Sequence, residues 1–275
     1  MRLWVLATML CYPALAGGPP SIDRALDRLY NFDFPAAHAD LNQYIEAHPA
    51  EALPYAFRAA AYLFYELDRL GALESEFLID DGRLVDRHKP KPDPVVRAQL
   101  LQALDDARTR AEAALKANPN DRQALFAMCL AQGVTMDYMA LVEKRQMMSL
   151  SPAKHSNSYA QRLLKLDPDF YDAYLAAGFS EYMVGSLPFF IRWFVHFDNV
   201  DGNKQRGVQN LELVARKGRY LKPLAKVFLG IIDLREKRPQ DAQRLLADLA
   251  HDFPGNPLYR KELEKLNARL AAAAN

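Results

Sequence analysis

The chain has 275 residues, half of them hydrophobic and a quarter charged, which supplies a substantial core and excludes a disordered chain. Lys and Arg number 35 against 34 Asp and Glu, for a net charge of +1. That balance leaves no surplus of cations to neutralise a phosphate backbone, so no nucleic-acid partner is expected.

Residues 1–16, MRLWVLATMLCYPALA, set Arg2 before an apolar run from Leu3 to Tyr12. Ala14 and Ala16 then stand at the two positions that a signal peptidase reads. A secretory signal cut after Ala16 is expected, which sends the chain to the periplasm or outside the cell. The run is too short to cross a bilayer, which takes about 20 apolar residues, so the protein is not expected to span a membrane. Two other readings remain: a buried first helix, and a lipoprotein signal at Cys11, which Leu10 disfavours. Cleavage removes one Arg and no acid, bringing the net charge to zero, and leaves Cys129 as the only thiol. A lone thiol forms no internal disulfide, and Cys129, inside Ala127-Met128-Cys129-Leu130, reads as a small core residue.

The organising signal is a helix ending that recurs four times, at His48-Pro49, Asn118-Pro119, Asp167-Pro168 and Phe253-Pro254. Proline cannot continue a helix and restricts the residue before it, and after each ending a new apolar-periodic segment starts within a few residues. The stripes have helical spacing: Val96, Leu100, Leu104, Ala107, Ala111 and Leu115; then Leu221, Leu224, Phe228, Ile231 and Leu234; then Ala242, Leu245, Leu246, Leu249 and Phe253. Between the first two endings, residues 77–85 carry an Asp-Gly pair suited to a hairpin, but two strands alone are marginal and a structured loop is expected.

This pattern resembles the tetratricopeptide repeat (TPR), a 34-residue helix-turn-helix with small residues where its helices touch and Pro near its end. The best match runs from Pro223 through Leu229-Gly230, Ala242 and Leu246 to Pro254; partial matches carry Ala37, Leu41, Tyr55, Ala59 and Tyr62, then Ala107 and Ala114, then Tyr174 and Gly178. The resemblance implies an all-α fold over 21–271: an irregular TPR-like α-solenoid of antiparallel helix pairs. The closing prolines lie 70, 49 and 86 residues apart, which are not multiples of 34. Inserts are therefore expected at about 71–94, at 136–150 as an extra helix, and at 186–202.

The third insert holds the most unusual segment, residues 187–197, with Phe189, Phe190, Arg192, Trp193, His196 and Phe197. Two readings stand. The aromatics plug the inner surface of the solenoid and join the core, or they form an exposed patch for a protein partner, lipid or apolar ligand, with Arg192 and His196 facing an anionic group. The Met-rich stretch around Tyr138, Met139, Met147 and Met148 reads as core before binding surface. Residues 198–203 read as a turn that caps the next helix rather than a calcium loop. The acids Glu74, Glu76, Asp80 and Asp81 read as solvated charge, and the six histidines show no metal-ligand spacing.

No phosphate loop, nucleophile elbow or dinucleotide fingerprint is present. No catalytic residue, metal or cofactor is expected, and the protein is read as a non-enzyme. The resemblance implies an exported protein-binding scaffold or adaptor in the bacterial envelope. The alternative is a periplasmic binder of an apolar small molecule or lipid, associated with transport and using residues 187–197. Trp193→Ala separates the two readings of that insert. A docking patch loses partner binding with little change in melting temperature, whereas a core plug shows a large drop.

Overall fold

The computed structural model describes residues 21–74, 91–186 and 200–274. These residues form an all-α fold of eleven α-helices: α1 (Ile22–Tyr30), α2 (Phe34–Ala47), α3 (Leu53–Arg69), α4 (Pro94–Ala117), α5 (Arg122–Asp137), α6 (Gln146–Leu166), α7 (Tyr174–Ser186), α8 (Lys204–Lys217), α9 (Lys222–Arg235), α10 (Pro239–Asp252) and α11 (Pro257–Ala274). A π-helical turn, Tyr138–Val142, follows α5, and a 3-10 turn, Tyr171–Ala173, precedes α7. The expected signal at 1–16, the loop at 77–85, and Phe189, Phe190, Arg192, Trp193, His196 and Phe197 lie outside the described residues.

Local chemistry accounts for the helix boundaries. Ser21, Asp33, Asp93, Asp121 and Asn203 each cap a helix start by accepting a backbone N–H with the side chain. Proline occupies the first turn of α2, α3, α4, α9 and α10, where its missing N–H costs nothing. All four expected endings are present, with His48, Asn118, Asp167 and Phe253 as C-caps. Each helix packs on the next along the chain, and α3 also packs on α5.

Small residues set the closest approach. A methyl group on Gly207 of α8 would lie 2.7 Å from the Tyr182 amide nitrogen and 2.8 Å from the Gly178 carbonyl of α7. Ala37, Ala59, Ala107 and Ala242, at the small-residue positions of the sequence pattern, are fully buried. Gly230 departs from it: a methyl group there meets nothing within 4 Å.

Two further expectations need correction. Residues 136–150 form no separate helix: the stretch is divided between the end of α5, the π turn and the start of α6. Met147 and Met148 are 80% and 52% exposed and do not join the core, whereas Tyr138 of the same stretch is buried. Cys129 is buried as expected. Asn203 caps α8, as a turn before that helix should. Among the described residues one stretch, Arg122–Val142, is long and apolar enough to cross a membrane by composition, and half of its apolar window is buried inside the protein. It is α5 with its π turn, packed among α3, α4 and α6.

The first helix meets the loops before α9 and before α11. The Tyr30 hydroxyl donates to the Tyr220 carbonyl at 2.9 Å, and the Asn256 side chain donates to the Tyr30 carbonyl at 2.8 Å. The Gly255 amide donates to Asn31 Oδ1 at 2.9 Å, and Arg219 pairs with Asp23 at 2.8 Å. Phe253 packs on Tyr30 with ring centroids 5.4 Å apart.

A buried carboxylate spans each long insert. Glu66 of α3 is 1% exposed; it takes two bonds from Arg69 and accepts the Asp93 amide at 2.8 Å across the first. Glu181 of α7 is 4% exposed; it accepts the Asn203 amide at 2.8 Å across the second and pairs with Arg206. The N-cap residue of the following helix is held to the preceding helix whatever lies between. Glu181→Ala is expected to lower stability by about 2–4 kcal/mol, because it strands the Asn203 amide and uncouples Arg206. Urea denaturation checks this; an unchanged midpoint would remove Glu181 from the closure of that insert.

Candidate functional site

Two apolar cavities, each partly open, lie between the helices. The first, of about 90 Å3, is lined from six helices: Leu26, Leu29 and Tyr30 of α1; Phe57, Leu63 and Phe64 of α3; Phe126, Leu130 and Val134 of α5; Ala153 and Ser156 of α6; Leu175 and Phe179 of α7; and Leu224 and Phe228 of α9. The second, also about 90 Å3, is lined by Phe32, Leu73, Val227, Ile231, Leu234, Leu246, Leu258 and Tyr259, and shares Tyr30, Phe64 and Leu224 with the first. The α9 stripe read as core therefore has a different fate. Leu221 is buried, while Leu224, Phe228, Ile231 and Leu234 face the cavities. Gly230 also lines the second cavity, consistent with the open space beside it.

Around the first cavity the rings of Phe57, Phe126 and Tyr220 form a cluster, with centroids 5.4 Å apart for Phe57–Tyr220 and 6.1 Å for Phe126–Tyr220. Most polar groups in its wall are already matched. Tyr30 bonds to Tyr220 as above. The Ser156 hydroxyl donates to the Cys129 carbonyl at 2.9 Å. Asp172 accepts the backbone amides of Arg219, Tyr220 and Leu221 at 3.0, 3.0 and 2.8 Å. Burial raises the Asp172 carboxyl and these three donors pull it back. Burial pushes the Cys129 thiol up to about 11, so it carries little thiolate at neutral pH and is a poor nucleophile.

Asp137, the last residue of α5, is different. It lines the first cavity and has no hydrogen bond or ion pair to any described residue. Burial alone pushes its carboxyl up to about 7, so near neutrality it is poised between acid and carboxylate. By surface area the residue is only half-buried, although protein surrounds it. The two observations agree if its remaining accessible surface is the face it turns to the cavity. It is the only charged residue between Arg122 and Glu143, and that interruption of an apolar run is the sequence signal that marks it.

A third, polar hollow of about 420 Å3 lies beside Asn118, Arg122 and Asp167, but its charges are spent on each other: Arg122 pairs with Asp167 at 2.7 Å and Asp121 caps α5. Glu74 pairs with Lys261 at 2.7 Å, tying the start of the first insert to α11. His48 and His251 stand at the ends of α2 and α10, as their sequence context suggests. No group of three or more metal-ligating side chains occurs among the described residues. The chain matches no protein-family model and no curated protein.

The raised carboxyl of Asp137 has a stability consequence with a definite sign. Its folded pKa, about 7, lies above the unfolded value of 3.8, so the folded state holds its proton longer and stability falls as pH rises between the two. Asp137→Asn removes that loss. The variant is expected to gain on wild type from pH 4 to pH 8, by roughly 4 kcal/mol at most. Chemical denaturation across that range checks it; a stability difference independent of pH would show that Asp137 titrates as an ordinary carboxylate.

Proposed function

We propose that the chain is an exported, TPR-like α-solenoid of antiparallel helix pairs, bent until its ends meet, that binds an apolar small molecule in its interior. The observation that carries this reading is the pair of adjoining cavities, walled by side chains from α1, α3, α5, α6, α7, α9, α10 and α11. A close-packed interior holds few voids larger than a water molecule, whereas apolar cavities with a few polar groups are the usual form of a ligand site. Their size favours a slim occupant, such as a single alkyl chain, since common ligand pockets run to about 300–1,000 Å3. The closure of Tyr30 on Tyr220 and Asn256 supports enclosure of a small molecule over an open groove for a peptide. The export signal at 1–16 puts that binding in the cell envelope and makes an association with transport reasonable.

A protein-binding scaffold is the second reading, and one observation favours it: Met147 and Met148 present a flexible apolar surface at the start of α6.

Gly133 separates the two. A side chain there meets only Ser156 Oγ, 3.6 Å from the new methyl group, and extends into the first cavity. Wild type with a saturating alkyl ligand, at about 100 times its Kd, is expected to gain roughly 2.7 kcal/mol, a rise in melting temperature of about 5–10 °C. Gly133→Leu is expected to keep its fold and lose that rise. Differential scanning fluorimetry and native mass spectrometry read both; no shift and no retained ligand with wild type would overturn the reading.

A further inference from the structure

We propose that Asp137 is the head-group anchor of the first cavity and that the ligand it selects is a straight-chain amphiphile bearing a cationic nitrogen. The inference rests on the cavity being a ligand site. Its own support is the charge inventory of the wall.

The titratable groups that face the first cavity are Tyr30 of α1, Cys129 and Asp137 of α5, and Asp172 before α7. From α3, α6 and α9, and from α7 itself, the wall receives apolar side chains and the hydroxyls of Ser156 and Ser180. No Lys, Arg or His lines it among the described residues. Among the described residues of the first cavity, a fatty-acid carboxylate or a phosphate head would therefore meet two acids and no cation, an arrangement that repels it at low dielectric; Lys226 of the second cavity is already paired with Asp248 and Asp252. Asp172 is committed to three backbone amides, which leaves Asp137 as the acid with free acceptor sites.

An unpaired carboxyl in an apolar wall is costly to ionise and costly to leave without a partner. An ammonium group supplies the missing charge and up to three donors, and charge-assisted bonds of this kind are the strong ones. The rings of Phe57, Phe126 and Phe179 stand in the same wall, and aromatic rings attract a cation. The alkyl tail then occupies the apolar remainder, toward the second cavity and the side chains the two share, Tyr30, Phe64 and Leu224.

The test uses three probes with one tail, decylamine, decanol and decanoate, titrated calorimetrically into the full chain below their micelle concentrations. Decylamine is expected to bind tightest and decanoate weakest. Its affinity should fall about tenfold from pH 8 to pH 6, because the amine stays charged while Asp137 must release a proton to pair with it. Asp137→Asn should weaken decylamine by about 10- to 100-fold and leave decanol bound as before. If the three probes bind alike, if decanoate binds tightest, or if Asp137→Asn leaves decylamine unchanged, the head-group assignment is overturned while the cavity remains a ligand site. If none of the three binds wild type, the ligand-site reading falls with it. The pH dependence on wild type needs no variant, so the assignment stays testable even if Asp137→Asn does not fold.

Discussion

Tyr30 is the point on which the architecture turns. Its hydroxyl, its carbonyl and its ring are each taken by residues about 190 to 230 positions away: Tyr220, Asn256 and Phe253. A run of helices in which each packs on the next has stability that is roughly a sum of local terms, and its ends are free. Here the end of the first helix is held by the loops before α9 and before α11. Both apolar pockets have Tyr30 in their walls.

The buried carboxylates Glu66, Glu181 and Asp172 follow one rule, and Asp137 departs from it. Buried carboxylates are expensive unless their oxygens are fully engaged. Glu66 and Glu181 are engaged by arginines and by the first amide after an insert, and Asp172 by three consecutive amides at the entry to α9. Each therefore acts as a clamp between segments that the chain separates by 22 to 49 residues. The backbone between can change length without moving the helices it joins. Asp137 is surrounded by protein yet half-buried by surface, and it clamps nothing, which is why it stands out as a chemical group and not as a structural one.

Much of this fold is written locally. The four proline-closed endings, the five side-chain N-caps and the Val96–Ala111 stripe all depend on residues within a turn or two of each other, and each is present in the structure. The misreadings share a different cause. Gly230 and the stripe Leu224, Phe228, Ile231 and Leu234 have the pattern of a packed helix face, yet they border empty space, because an apolar stripe has the same spacing whether it meets a neighbour or a cavity. Residues 136–150 have helical periodicity throughout, but a π turn redirects the chain at Tyr138–Val142, and Met147 and Met148 are carried outward. The site was legible only as an anomaly, an aspartate within the apolar run of α5.

The amino-acid sequence by itself determined the helices, where they stop, and the small residues that let α7 and α8 touch at Gly178 and Gly207. These are set by backbone dihedrals, capping bonds and side-chain size over a few positions. Only the tertiary structure decided that α1 meets the loops before α9 and α11, that apolar pockets form beside that contact, and that Asp137 lines one of them. A contact between residues 30 and 256 leaves no trace in periodicity, and a cavity is defined by what the surrounding helices fail to fill.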